Sequence, residues 1–97
     1  MKTLEEIKAI LQKQKAHLTA KYKVKEIGIF GSFVRGEQKK NSDLDILVEF
    51  CEPVDFFAFL DLEEYLKKTV KVKIDLVSKK ALRPYIGKHI LKEVVYL

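Results

Sequence analysis

The stretch GSFVRGEQKKNSDLDILV, residues 31–48, decides how this chain is read. It follows an apolar run ending in Ile29 and Phe30, which reads as a strand. Gly31 permits a tight turn, and Ser32 is placed to cap a short helix through Phe33, Val34 and Arg35. Gly36 can close that helix in a left-handed conformation. A strand feeding a Gly-Ser turn and a helix start aims several backbone N–H groups, and the positive end of a helix dipole, at one spot. That spot suits an anion. Arg35 lies three residues beyond Ser32 on the same helical face, so its guanidinium is expected to reach a phosphate held there.

The second half of the stretch is more demanding chemically. Alternation from Asp43 to Phe50 puts Leu44, Ile46, Val48 and Phe50 on one strand face and Asp43, Asp45, Leu47 and Glu49 on the other. Same-face neighbours in a strand are roughly 6 to 7 Å apart, so Asp43 and Asp45 can share one or two divalent cations. Aspartate is depleted in strands, and two at the mouth of an apolar strand break local propensity in the way sites do. Glu49 shares the face but lies too far along it to join them. A third carboxylate is expected from residues 71–78, KVKIDLVS, where Val72, Ile74 and Leu76 turn inward and Asp75 takes the opposite face. If the two strands are neighbours, Asp75 joins Asp43 and Asp45. Three carboxylates holding two divalent ions suit an in-line displacement with pyrophosphate leaving, that is, nucleotidyl transfer. Gly31-Ser32 alone would be an ordinary turn, and a lone Asp-x-Asp a solvated strand end. Their conjunction with Arg35, Gly36, Ser42 and Asp75 carries the reading.

On those residues the chain resembles the DNA polymerase beta-like nucleotidyltransferase superfamily, and its length resembles the minimal nucleotidyltransferase branch. The resemblance covers nearly the whole chain. It implies that Gly31 and Ser32, with Arg35 and Ser42 of the same motif, bind the nucleoside triphosphate, expected to be ATP. It also implies that Asp43, Asp45 and Asp75 are catalytic and ligate Mg2+, with two ions expected, and that Asp75 helps activate the acceptor. Minimal members are often paired with HEPN-domain proteins as antitoxin and toxin, in some cases by adding AMP to a tyrosine of the partner. The function expected is therefore transfer of AMP to a hydroxyl of a HEPN-domain partner. The alternative is a non-catalytic antitoxin that masks its partner by contact. The glycine often found shortly before the third aspartate is missing from residues 71–73.

Composition bounds the rest. The 97 residues are expected to make one domain, 1–97, with one core and no separate acceptor-binding domain, which disfavours a small-molecule acceptor. No apolar run approaches the ~18 residues of a membrane span, and Glu5 and Glu6 so near the start do not fit a signal peptide, so a cytoplasmic location is expected. The formal charge is +5. Because Arg35 and Arg83 are the sole arginines, the charge reads as solvated lysine surface and disfavours nucleic acid as a partner. Cys51 is a single cysteine and is given no role. Oligomeric state, homo- or hetero-, is left open.

The remaining elements alternate. Thr3 and Glu6 form a capping-box pattern opening a helix to about Tyr22, and residues 24–30 make the first strand. After Pro53, Asp55 caps a helix to about Lys68, with Phe56, Phe59, Leu60, Leu62 and Leu66 expected mostly inward. A strand over residues 72–77 follows. A last helix begins near Pro84, with Leu82, Tyr85, Ile86, His89, Ile90 and Val94 as its apolar stripe. His17 and His89 lack metal-ligand partners at useful spacing and are taken as structural. The apolar C-terminus, residues 94–97, reads equally as core packing or as a partner surface. The fold class expected is α/β (α+β), a small mixed β-sheet flanked by helices, in the polymerase-beta-like nucleotidyltransferase arrangement.

Overall fold

The computed structural model describes residues 2–97. Helix α1 (Leu4–Tyr22) opens on the capping box expected: the Thr3 hydroxyl accepts from the Glu6 N–H at 3.2 Å, and the Glu6 carboxylate accepts from the Thr3 N–H at 3.3 Å. It ends at Lys23, which takes the left-handed conformation normally filled by glycine. The chain continues through β1 (Val24–Phe30), the short α2 (Ser32–Arg35), β2 (Leu44–Phe50), α3 (Phe56–Val70), β3 (Ile74–Ser78), a 3-10 turn (Lys79–Ala81), α4 (Pro84–Glu93) and β4 (Val95–Tyr96).

The sheet order is β3-β2-β1-β4, with β1 antiparallel to both β2 and β4 and β2 parallel to β3. A parallel pair needs a crossover, and α3 supplies it. Alternation in β2 sends Leu44, Ile46 and Val48 to one face, where they meet Ile7, Leu11 and Leu18 of α1 and Leu62, Leu66 and Val70 of α3. All nine are fully buried. Ile27 and Ile29 of β1 join them, opposite Val48 and Ile46. One register shift between Val24 and Glu26 returns Val24 to the same side. His17 is exposed at the rim of this layer, its ring 5.1 Å from that of Tyr65 and 6.0 Å from that of Tyr22.

Several expectations need correction. β2 starts at Leu44, so Asp43 stands just ahead of the strand, and β3 starts at Ile74, because Lys71 ends α3 in a left-handed conformation (φ 61°) and two further residues reach the sheet. Lysine thus sits at a C-cap geometry that favours the missing glycine. Phe56 (68% exposed) and Leu60 are not inward, since Phe59, Leu62, Leu66 and Val70 complete the face that meets the core. Tyr85 (77% exposed) and Ile86 face solvent, while α4 buries Gly87. Residues 95–96 form an edge strand on Gly28 and Ile29. This close approach depends on Gly28, where a Cβ would lie 2.5 Å from the Val94 Cγ2.

Candidate active site

The strand-to-helix turn after β1 forms as the residues dictate, with one difference. The N-cap of α2 is Gly31 and not Ser32, which is the first helical residue, and no side chain caps the helix. Gly31 has φ 81° and ψ −153°, a conformation open essentially to glycine alone. A Cβ there would fall 2.0 Å from the Asp45 Oδ2, so the absent side chain is what lets the Asp45 carboxylate lie against the turn. Gly36 ends α2 at φ 71°, as expected.

Asp45 and Asp75 are side by side. The parallel register pairs Asp45 with Asp75, and Phe30 lies opposite Asp45 across the antiparallel neighbour. Register partners share a sheet face, and adjacent strands are about 4.8 Å apart, so both carboxylates rise from the same face beside Gly31. The core side chains occupy the other face. Partial burial, followed by the nearby charges of Asp75 and Asp43, pushes Asp45 up to about 6, against a smaller opposing pull from Arg35. Asp43 therefore stands within electrostatic reach of the pair. Among the described residues, however, no three acidic, histidine or cysteine side chains are grouped tightly enough to enclose a cation as they stand. The donor chemistry nonetheless suits a hard divalent ion: carboxylate oxygens, crowded enough that one of them holds its proton toward neutral pH.

The other expected residues are placed differently. The Ser42 hydroxyl accepts from the Lys39 N–H at 2.8 Å and the Ser42 N–H donates to the Lys39 carbonyl at 3.0 Å, so Ser42 closes the loop before β2. That loop, with Phe33, Lys71 and Lys73, lines a cavity of about 230 Å³, and a more open one of about 490 Å³ lies between Asp43 and Lys67, Lys71 and Lys73. Lysines thus flank Asp43. Arg35 does not project freely toward an anion at the turn: its guanidinium donates to Glu37 and to Glu93. Those two hydrogen bonds raise the Arg35 pKa further. Glu49, set aside from the cluster, pairs with Lys79 at 3.7 Å.

Glu93 was missed by sequence reasoning. It is the last residue of α4, and its carboxylate accepts both from Arg35 and, at 2.9 Å, from the Gly31 N–H. Partial desolvation works against its charge, but the bonds from Arg35 and Gly31 outweigh it and hold its pKa below the usual carboxylate value. No periodicity or motif marks this contact, because 62 residues separate its ends.

The model of the nucleotidyltransferase domain family matches residues 5–97. The chain belongs to that family. Its nucleotidyltransferase relatives include a protein adenylyltransferase, MntA, of Thermococcus cleftensis, 50% identical over 97 residues that span 100% of this chain and 98% of the relative. A solved structure of a candidate minimal nucleotidyltransferase shares the fold at a TM-score of 0.77 and 30% identity, covering 94% of this chain and 95% of that one. At 20% identity, a Shewanella oneidensis MNT antitoxin structure in complex with a tri-AMPylated HEPN toxin shares the fold at a TM-score of 0.67, covering 93% of this chain and 70% of that chain. The mixed four-stranded sheet of this nucleotidyltransferase is the arrangement expected from the sequence.

Proposed function

We propose that this nucleotidyltransferase moves AMP from ATP to a hydroxyl of a partner protein, and that the partner is a HEPN-domain toxin which it neutralises. The observation that carries the chemistry is the in-register Asp45–Asp75 pair standing against the side-chain-free wall of Gly31. End-to-end similarity to a protein adenylyltransferase supports the substrate class, and the fold shared with an MNT antitoxin supports the partner class. In this reading Asp43, Asp45 and Asp75 hold Mg2+. When bound, Mg2+ supplies positive charge to the triphosphate oxygens and the leaving pyrophosphate.

The chain's own residues do the following. Gly31 and Ser32 leave room for the triphosphate beside β1. Ser42 keeps the loop closed ahead of Asp43. Arg35, tied to Glu93, sets the turn and contributes positive charge near Asp45. Asp75 takes the proton of the acceptor hydroxyl as its oxygen bonds to the α-phosphorus. The α–β bridging P–O bond breaks, and pyrophosphate leaves with the bond's electron pair. A second reading, masking by contact alone, draws on the exposed apolar side chains Tyr85, Ile86 and Leu91 of α4.

One experiment separates the readings. A HEPN-domain protein is incubated with this chain, ATP and Mg2+, and weighed by mass spectrometry. A mass increase of one or more AMP units, absent with Asp43→Asn, supports transfer. An unmodified partner that Asp43→Asn still neutralises would leave contact as the function.

A further inference from the structure

We propose that Glu93 is a positioning residue for this site: its carboxylate, at the end of α4, holds the Gly31 peptide in the orientation that gives Asp45 its place. Two sides of Gly31 are in use. Its N–H donates to the Glu93 Oε2 at 2.9 Å, while its Cα stands where any Cβ would meet the Asp45 Oδ2 at 2.0 Å. Rotating the peptide that carries this N–H therefore moves the wall against which Asp45 rests. The Gly31 carbonyl is held by the first turn of α2, accepting from the Val34 and Arg35 N–H groups at 3.1 and 3.2 Å, whereas its N–H finds its partner outside the turn, in Glu93.

The same carboxylate also binds Arg35. Gly31 and Arg35 are the two ends of the turn around Ser32, so one side chain fixes both. Glu93 is itself anchored: the next residues form β4, whose Tyr96 and Val95 pair with Gly28 and Ile29 just upstream of Gly31, and the Leu97 N–H donates to the Ile27 carbonyl at 3.0 Å. Glu93 shares its negative charge with Arg35 and does not stand as a bare anion in the path of a phosphate. α4 thereby becomes part of the site although no residue of it lies in the motif.

Two variants test this. Glu93→Gln keeps an oxygen that can accept from the Gly31 N–H, and Glu93→Ala removes it. The first readout needs no nucleotide: hydrogen exchange of the Gly31 amide by NMR. Glu93→Ala should exchange about tenfold faster at Gly31, Glu93→Gln within about threefold of wild type, and the amides of Ile46 and Leu66 should be unchanged in both.

The second readout, which rests on the nucleotidyl-transfer reading above, is Mg·ATP affinity by calorimetry. Affinity should fall about tenfold in Glu93→Ala and stay within about threefold in Glu93→Gln. Unchanged Gly31 exchange in Glu93→Ala overturns the proposal, as does Mg·ATP binding at or above wild-type strength in that variant. Wild-type protein that binds no Mg·ATP would instead sink the nucleotidyl-transfer reading, and Gly31 exchange would then decide the role of Glu93 by itself.

Discussion

Replacing Gly31 with alanine adds one methyl group at the point where the turn and the acidic pair touch. The added Cβ falls 2.0 Å from the Asp45 Oδ2 and 2.9 Å from its Cγ, far inside van der Waals contact, so the carboxylate must move by an ångström or more. The backbone adds its own cost, because φ 81° with ψ −153° is strained for any residue with a Cβ, by roughly 1–3 kcal/mol. At about 2 kcal/mol, a domain of 97 residues should lose roughly 8–16 °C in melting temperature. The functional loss should be larger than the stability loss. A displacement of about 1 Å in a positioned catalytic group costs about 100-fold in rate. Differential scanning calorimetry gives the first quantity, and AMP incorporation into the partner, measured at a temperature where the variant is folded, gives the second. Gly28→Ala is the control: its Cβ meets Val94 and the β4 backbone, so it should loosen β4 with a smaller effect on transfer. A Gly31→Ala protein that melts within 2 °C of wild type and transfers AMP at more than a third of the wild-type rate would refute the reasoning.

The metal-free protein should gain stability from Asp45→Asn at neutral pH. The folded-state pKa of Asp45 is raised to about 6 from 3.8, so the stability present below pH 3.8 is lost as pH rises through 6. The variant keeps it. The gain should be roughly 1–2 kcal/mol after allowance for solvent screening, and a thermal melt series in EDTA from pH 4 to 8 should show the wild-type and variant curves parting across that window. Glu93 has the opposite sign: its lowered pKa stabilises the fold above the usual carboxylate range and is lost in acid, so Glu93→Gln should flatten the acid limb of the denaturation curve. Thr3→Ala removes the hydroxyl arm of the capping box, leaves the backbone N–H that donates to Glu6, and should cost about 1 kcal/mol in urea unfolding, with the slope unchanged. Lys71→Gly should raise the melting temperature by a few degrees, because the left-handed strain at φ 61° relieved there exceeds the added freedom of the unfolded chain.

The parts of the fold legible in the sequence are those set by local physics. The capping box, the strand alternation from Leu44 to Val48 and the crossover helix after Pro53 each depend on residues within a few positions of one another. Misplaced features depend on what a face meets. Phe56, Tyr85 and Ile86 continue helical stripes that look apolar and inward, yet no layer covers them, so periodicity overstates the core. The strand starts at Leu44 and Ile74 came one or two residues later than alternation suggests, because a pattern of side chains does not show where backbone pairing begins.

By itself the chain supplied the groups of the proposed site: Gly31 without a side chain, carboxylates at 43, 45 and 75, and the alternation that turns Asp45 away from the core. Those follow from residue chemistry and a period of two. Tertiary structure decided which groups meet. Parallel pairing put Asp45 beside Asp75, and the return of α4 to the sheet edge gave the Gly31 N–H and Arg35 a carboxylate partner from residue 93. Such contacts join groups tens of residues apart. Their geometry is set by strand register and helix packing over the whole core, which no local stretch encodes.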